Sequence, residues 1–382
     1  MRVAIIGNIA GVANEVLIGL RSKGVEAQLF ITASDIPNTF GPGREKIDPK
    51  WVTILDRQRR SSNRLSIFKR IILRELTFQS LRLLRFDIIH SHTAALNFSF
   101  SSYILYSKIR LVPYLAFATG SDYREVVQFG SGFIAEMTKE HFRKANKMLL
   151  LNTDMVKIPP TSDFERPIFF PFVINEEKYS PKHVEKPVEL QGKLLCFMMS
   201  RLDFGISDMQ NNRSSMKGNE KFFFAFRDYI EKFGNAHAIV VDRGSDKDYA
   251  KTLIKELGIE EYITFVPELN ELERVNFMRM ADVVLDQFQI GAFGLGALEA
   301  LSVGKPLITF FDNETVPFCY DHPPPILNAQ SSEEIFHQLV EVSKKDVREK
   351  YSLNSRNWIL RHHSREVVVP KLIDLYMNVL GN

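Results

Sequence analysis

The chain predicts an α/β protein built from two doubly wound domains that face a central cleft. Three observations lead there. Short apolar runs alternate with segments of helical period along almost the whole length. That alternation starts afresh near residue 194. At 382 residues the chain is also longer than one average domain. The polar stretch 173–193 reads as the linker, which sets domains at 1–180 and 181–362, with 363–382 as a final helix.

Composition narrows the class. Hydrophobic residues make up 45% and charged residues 25%, which suits a globular protein with a sizeable core. The two cysteines, Cys196 and Cys319, form neither a disulfide framework nor a metal-binding spacing, so a reducing, cytoplasmic compartment is expected. The opening MRVAIIG reads as a first strand rather than a signal peptide. No apolar run approaches the roughly 18 residues that span a bilayer. Charge is unevenly distributed. Residues 1–180 hold 25 Lys+Arg against 17 Asp+Glu, a net of +8, and the remainder carries −5, so the first half is expected to meet something anionic.

In chain order, the strand at 2–6 leads through Gly7, Asn8 and Gly11 into a helix from about Val12 to Lys23, and a second strand follows at 27–31. This turn lacks the dinucleotide fingerprint, because Ile9 and Val12 stand at two of its glycine positions. Gly7 and Asn8 either face a ligand phosphate or simply turn the chain. Residues 38–50 read as a loop. The most basic segment is 56–85, where Leu65, Phe68, Ile72 and Leu76 recur at helical spacing among nine arginines and lysines. Such a helix fits an anionic membrane surface, or else is a solvated surface helix. Nucleic acid is set aside, because no binding motif accompanies the charge. His90 and His92 follow the next strand without a third metal ligand, and His92 lies further out, at the carboxyl end where α/β ligands sit. Thr119 and Asp122 stand in a polar cluster at the end of the strand 113–118, where Asp122 can cap the next helix or hold a ligand hydroxyl.

In the second half, the strand 194–199 ends at Ser200-Arg201, and a polar loop leads to Lys217-Gly218. The stretch GAFGLGALEALSVGK, 291–305, follows the apolar strand 283–285. A strand, a glycine turn and a helix start leave backbone N–H groups free to favour a phosphate. Glu299 lies about one turn in, where a carboxylate can reach ribose hydroxyls. Arg201 and Lys217 would neutralise a diphosphate. Together these residues suit a sugar nucleotide.

Those motifs resemble glycosyltransferase family 4, the retaining sugar transferases of GT-B fold, over nearly the whole chain. ADVVLDQFQIGAFGLGALEALSVGKPLI resembles the family's strand, E-G-F-G-x-x-x-x-E and G-x-P-V-I signature, and SRLDFGISDMQNNRSSMKG resembles its G-R-…-K-G element. The resemblance implies that Arg201 and Lys217 bind the donor diphosphate and that Glu299 binds its ribose. It implies that amides near Phe293, Gly294 and Leu295 face the phosphate or sugar, and that Leu269, at the end of ITFVPEL, contacts the base. It places DIIHSH and FATGSD, with His92, Thr119 and Asp122, on the acceptor side, and it sends the last helix back onto the first domain. Two positions depart. Gly291 replaces the first motif glutamate, which in the family touches the transferred sugar. Asp286-Gln287 stands where Pro-Ser is common, similar to a variant branch of the family, which implies a variant site in which Gln287 or Asp286 binds sugar hydroxyls. The family's first-domain histidine is unmatched near Thr119 and Gly120.

The expected activity is retaining glycosyl transfer without a metal or cofactor, from a nucleotide diphosphate sugar to a glycan or lipid-linked acceptor, in bacterial polysaccharide or glycolipid assembly. A sugar-nucleotide 2-epimerase and a non-catalytic donor-binding subunit are the alternatives.

Overall fold

A computed structural model describes residues 1–32, 35–55, 82–92, 112–158, 167–205 and 216–381. The chain divides into two compact units, Met1–Val173 with Arg365–Asn382, and Ile174–Ser364.

The first unit is a seven-stranded parallel sheet. Its strands are β1 (Arg2–Ile6), β2 (Glu26–Thr32), β3 (Val52–Leu55), β4 (Ile88–His92), β5 (Tyr114–Ala118), β6 (Lys147–Leu150) and β7 (Ile168–Phe169), in the order β3-β2-β1-β4-β5-β6-β7. The order reverses between β1 and β4, so the topological switch point lies there. Among the described residues up to 173 the helices are α1 (Val12–Ser22), α2 (Ile36–Phe40) and α3 (Phe133–Lys144). Strands β1, β4 and β5 are buried almost throughout, and β1 and β5 are largely apolar, as expected where a parallel sheet is covered on both faces. The interval 38–50, expected as loop, carries the end of α2, and β3 follows at once on a 3₁₀ turn.

The second unit repeats the plan. Its strands are β8 (Leu194–Met198), β9 (Ala236–Val241), β10 (Ile263–Val266), β11 (Val283–Leu285), β12 (Leu307–Thr309) and β13 (Leu327–Asn328), all parallel in the order β10-β9-β8-β11-β12-β13. The helices are α4 (Glu220–Phe233), α5 (Lys247–Glu256), α6 (Glu271–Met280), α7 (Leu295–Ser302), α8 (Val316–Cys319), α9 (Ser332–Val342) and α10 (Lys345–His362). Phe222, Phe223 and Phe226 of α4 are fully buried against the sheet core, on one stripe at helical spacing. Gly234 ends α4 in a left-handed conformation, φ 66°. Reciprocal capping boxes start α6 (Asn270 with Glu273) and α9 (Ser331 with Glu334).

The last helix, α11 (Arg365–Leu380), belongs to the first unit. Arg365 pairs with Glu15 and Glu45, and Lys23 with Glu366. Val369 sits so close to Gly19 of α1 that a Cβ there would lie 2.5 Å from its methyl. The unit boundaries fall at 173/174 and 364/365, earlier and later than the sequence-based 180 and 362. The reason is local: Ile174 N–H donates to the His363 carbonyl at 2.8 Å, and residues 175–180 are built into the second unit. Among the described residues no helix is long and apolar enough to cross a membrane.

Candidate functional site

In the second unit the strand order reverses between β8 and β11, and the expected donor residues sit at the carboxyl ends of these two strands. Arg201 follows β8, is exposed, and pairs through Nε with Asp203 Oδ2 at 3.1 Å. Asp203 is tied down by Ser245, whose N–H and hydroxyl both donate to its Oδ1. Lys217 is stitched in by its backbone: its N–H donates to the Asp203 carbonyl at 2.8 Å and its carbonyl accepts from Phe288 at 2.7 Å. That draws Lys217 to the end of β11.

There Asp286 is buried, and burial raises its carboxyl above the usual range. Three neighbours oppose that shift: the Lys217 charge, the Gly294 backbone N–H and the Ser200 hydroxyl. Gly294 caps α7 in an extended conformation, and it and Leu295 leave the helix start only partly covered. A Cβ on Gly294 would lie 3.7 Å from Asp286 Oδ2. Lys217, Asp286 and the α7 N-terminus are therefore brought together, a cation and a carboxylate at one helix start.

Other expected side chains turn inward. The Gln287 amide is spent on its own loop, Nε2 donating to the Ala292 carbonyl and Oε1 accepting from Ile290 N–H, so it shapes the turn instead of facing a sugar. Phe293 is buried, stacked 4.6 Å from Phe311 and edge-on to Trp358, leaving only its backbone for a ligand. Leu269 is half-buried just ahead of the α6 cap. Gly291 has φ 55°, and a Cβ there would lie 3.0 Å from Asp312 Cβ and from Phe310 Cε1. The missing glutamate thus has a structural cause, because the backbone is left-handed and the space is filled.

Glu299 is buried in α7 within a network that sequence reading missed. Arg274 of α6 meets it side-on, Nε to Oε2 at 3.0 Å and Nη2 to Oε1 at 2.9 Å. The Tyr179 hydroxyl lies 2.8 Å from Oε1 and also against Oε1 of Glu271. With one hydrogen, it donates to one carboxylate at a time. Lys178 pairs with Glu271 Oε2 at 2.5 Å, so two buried carboxylates meet two cations. The Glu299 charge, ahead of all other causes, raises the Arg274 guanidinium pKa, and burial raises the Tyr179 phenol. The segment carrying Tyr179 is fixed by Arg279, which donates to the Lys178 and Ser180 carbonyls, and by Arg356, which donates to the Glu176 and Tyr179 carbonyls.

In the first unit, Gly7 turns the chain at φ 80° and donates to the Phe30 carbonyl. Asn8 is fully buried: its Nδ2 donates to Asn14 Oδ1 and Thr39 Oγ1, and its Oδ1 accepts from Ala13 N–H. Its amide locks the β1–α1 turn and is not offered to a donor. Asp122 accepts from the N–H groups of Thr119, Gly120 and Tyr123 and so organises the start of a π-helical turn, Asp122–Val127. Burial raises its carboxyl against those hydrogen bonds. Thr119 is half-buried, and its carbonyl accepts from Asn152. His92, buried at the end of β4, has its ring 4.4 Å from that of His90 and 5.2 Å from Phe117, and neither of its nitrogens has a hydrogen-bond partner among the described residues. Burial lowers its pKa to about 3. The basic segment 56–85 lies outside the described residues except for 82–85. Among the described residues no cluster of three His, Cys, Asp or Glu is placed to hold a metal ion.

Comparison with known proteins bears on this site. Residues 209–317 match the family model described as glycosyl transferases group 1. The chain is 22% identical over 347 residues, 87% of its length, to alpha-monoglucosyldiacylglycerol synthase of Acholeplasma laidlawii, of which it covers 83%. It superposes on a glycosyltransferase from Rickettsia africae with a TM-score of 0.67 at 13% identity, covering 100% of this chain and 99% of that one. It also superposes on Anabaena Alr3699/HepE, solved with UDP and glucose, with a TM-score of 0.69 at 12% identity, covering 98% and 99%. The fold is GT-B, and the segment that carries Lys217, Asp286 and Glu299 is the one that matches the glycosyl transferase model.

Proposed function

We propose that this chain is a retaining glycosyltransferase that moves a sugar from a nucleotide diphosphate sugar to a hydroxyl of a glycan or lipid-linked acceptor, without a metal. One observation carries the reading: Lys217, Asp286 and the exposed start of α7 meet at the switch point of the second sheet, inside the family-matched segment. Cations and an open helix start suit a diphosphate. The Anabaena structure with UDP and glucose supports a nucleotide-sugar donor, and the Acholeplasma relative, named for a glucosylated diacylglycerol, favours a lipid acceptor. The acceptor oxygen bonds the anomeric carbon on the face from which the diphosphate oxygen departs, and the hydroxyl proton leaves with the diphosphate. Arg201, Lys217 and the α7 amides stabilise the charge that develops there, and no side-chain nucleophile is required. The basic segment 56–85 docks the enzyme on the inner face of an anionic membrane in bacterial polysaccharide or glycolipid assembly.

Turnover of a panel of nucleotide sugars with membrane-extract acceptors tests the reading. Arg201→Ala and Lys217→Ala should each lower turnover by roughly 10²-fold or more, and unchanged rates in both would sink the assignment. A sugar altered with no acceptor present would indicate an epimerase instead. Donor binding with no transfer to any acceptor would indicate a binding subunit.

A further inference from the structure

We infer that Asn219 is a positioning residue for Arg201: its side-chain amide, turned away from the helix it begins, fixes the end of β8 that carries this cation. The inference rests on the nucleotide-sugar reading above. Asn219 stands at the N-cap of α4, where an asparagine ordinarily accepts from backbone N–H groups of the first helical turn. Here it makes no such bond. The residue is fully buried, and its Nδ2 donates instead to Ser200 Oγ at 2.8 Å and to the Arg201 carbonyl at 3.1 Å. Its Oδ1 has no hydrogen-bond partner among the described residues. Both of the groups that Nδ2 meets call for a donor. A carbonyl only accepts, and the Ser200 hydroxyl hydrogen already goes to the Asp286 carbonyl at 3.0 Å. The local capping bond is forgone, and two bonds to a neighbouring strand end stand in its place. Departures from local preference of this kind gather at functional positions.

The Arg201 carbonyl also accepts from the Asp203 N–H at 3.0 Å, so both of its lone pairs are used. The Arg201 side chain is 46% exposed, so its place is set by its backbone more than by packing around the guanidinium. Through Ser200 the same amide reaches the end of β11, and Asn219 itself follows Lys217 by two residues. One buried amide therefore joins the chain segments that bring Arg201, Lys217 and Asp286 to the site. It touches none of their charged groups, and acts by holding the backbone from which they project.

Calorimetric titration with UDP, GDP, ADP and CDP tests this on the unaltered protein, on Arg201→Ala, on Asn219→Ala and on the double variant. Arg201→Ala should weaken whichever nucleotide binds about 10-fold or more, the worth of a hydrogen bond to a charged group. Asn219→Ala should weaken it about 3-fold or more when Arg201 is present, and by less than about 2-fold further once Arg201 is gone. An asparagine that merely stabilises the fold would give two losses that multiply. That result, or no loss on Asn219→Ala alone, would overturn the inference by itself. If Asn219→Ala does not fold, Ser200→Ala, which removes one of the amide's two anchors, takes its place in the cycle, and the same outcomes decide. Failure of every nucleoside diphosphate to bind would overturn the glycosyl-transfer reading and this inference with it.

Discussion

The guanidinium of Arg274 lies side-on against the carboxylate of Glu299, with paired contacts of 3.0 and 2.9 Å from two different helices. Removing one partner of a buried pair strands the other, which typically costs about 3–5 kcal/mol. Arg274→Ala should fall in that range, because the carboxylate it strands keeps only 6% of its surface exposed. Arg274→Lys should recover only part of the loss, since an ammonium cannot present the two-pronged fork. Urea denaturation at neutral pH would measure both. An alanine variant as stable as the parent would show that Glu299 does not need its partner.

Gly291 offers a second test. Its φ of 55° strains any side chain, and the 3.0 Å approach of Asp312 and Phe310 means these neighbours must give way to admit one. Restoring the family glutamate by Gly291→Glu should therefore not restore a sugar contact. A left-handed non-glycine backbone costs about 1–2 kcal/mol, and overfilling a packed site adds about 1–3 kcal/mol. The variant should melt several degrees lower and turn over no faster. An unchanged melting temperature would mean that the loop re-forms around the new side chain.

The reach of the sequence differs between these two sites. The two-domain α/β plan is legible because buried parallel strands and amphipathic helices each leave a periodic trace, and the glycine-rich run with Glu299 stands out by spacing. Strand β3 is hidden because it is four residues long and follows a polar stretch. Arg274 is hidden because it is one of several charged residues in a helix with little amphipathic contrast, and nothing local says which of them turns inward. Tyr179 meets its partners across 92 and 120 residues of chain, within a segment that reads as linker. The same limit applies to Gln287 and Asn8. Their residue types suit ligand binding, but only the fold shows that their amides are spent on the turns that hold them.

Asp286 predicts a pH effect of definite sign. Burial raises its carboxyl above the ordinary 3.8, so the folded state holds the proton more tightly than the unfolded chain. Stability from this group is therefore lost as pH rises from the ordinary value through the raised one. Asp286→Asn keeps the shape and removes the charge. Relative to the parent it should be no more stable near pH 3, and it should gain as pH climbs to neutrality. The same change removes the carboxylate facing Lys217 and Gly294, so donor turnover should fall, a trade of activity against stability. Denaturation curves at several pH values would check the sign, and a relative stability that declines with rising pH would reverse it.

The buried histidines of the first unit act in the opposite direction. Burial lowers the pKa of His92 and of His141 to about 3, and lowers His90 well below 6.5, with the His92 charge adding to the effect on His90. All three are neutral in the fold, whereas the unfolded chain takes up their protons as pH falls through 6.5. The stability they leave in place is complete above that value and is lost progressively between 6.5 and about 3. Each such histidine adds a slope of about 1.4 kcal/mol per pH unit inside the window. His92→Phe keeps a ring against His90 and Phe117 and sacrifices no hydrogen bond among the described residues. It should flatten the acid limb of a stability–pH curve by about one proton's worth of slope. Near neutrality it should leave the fold intact, so any fall in transfer activity there would reflect the loss of the imidazole itself. An acid limb as steep as the parent's would show that His92 takes up its proton without unfolding the unit.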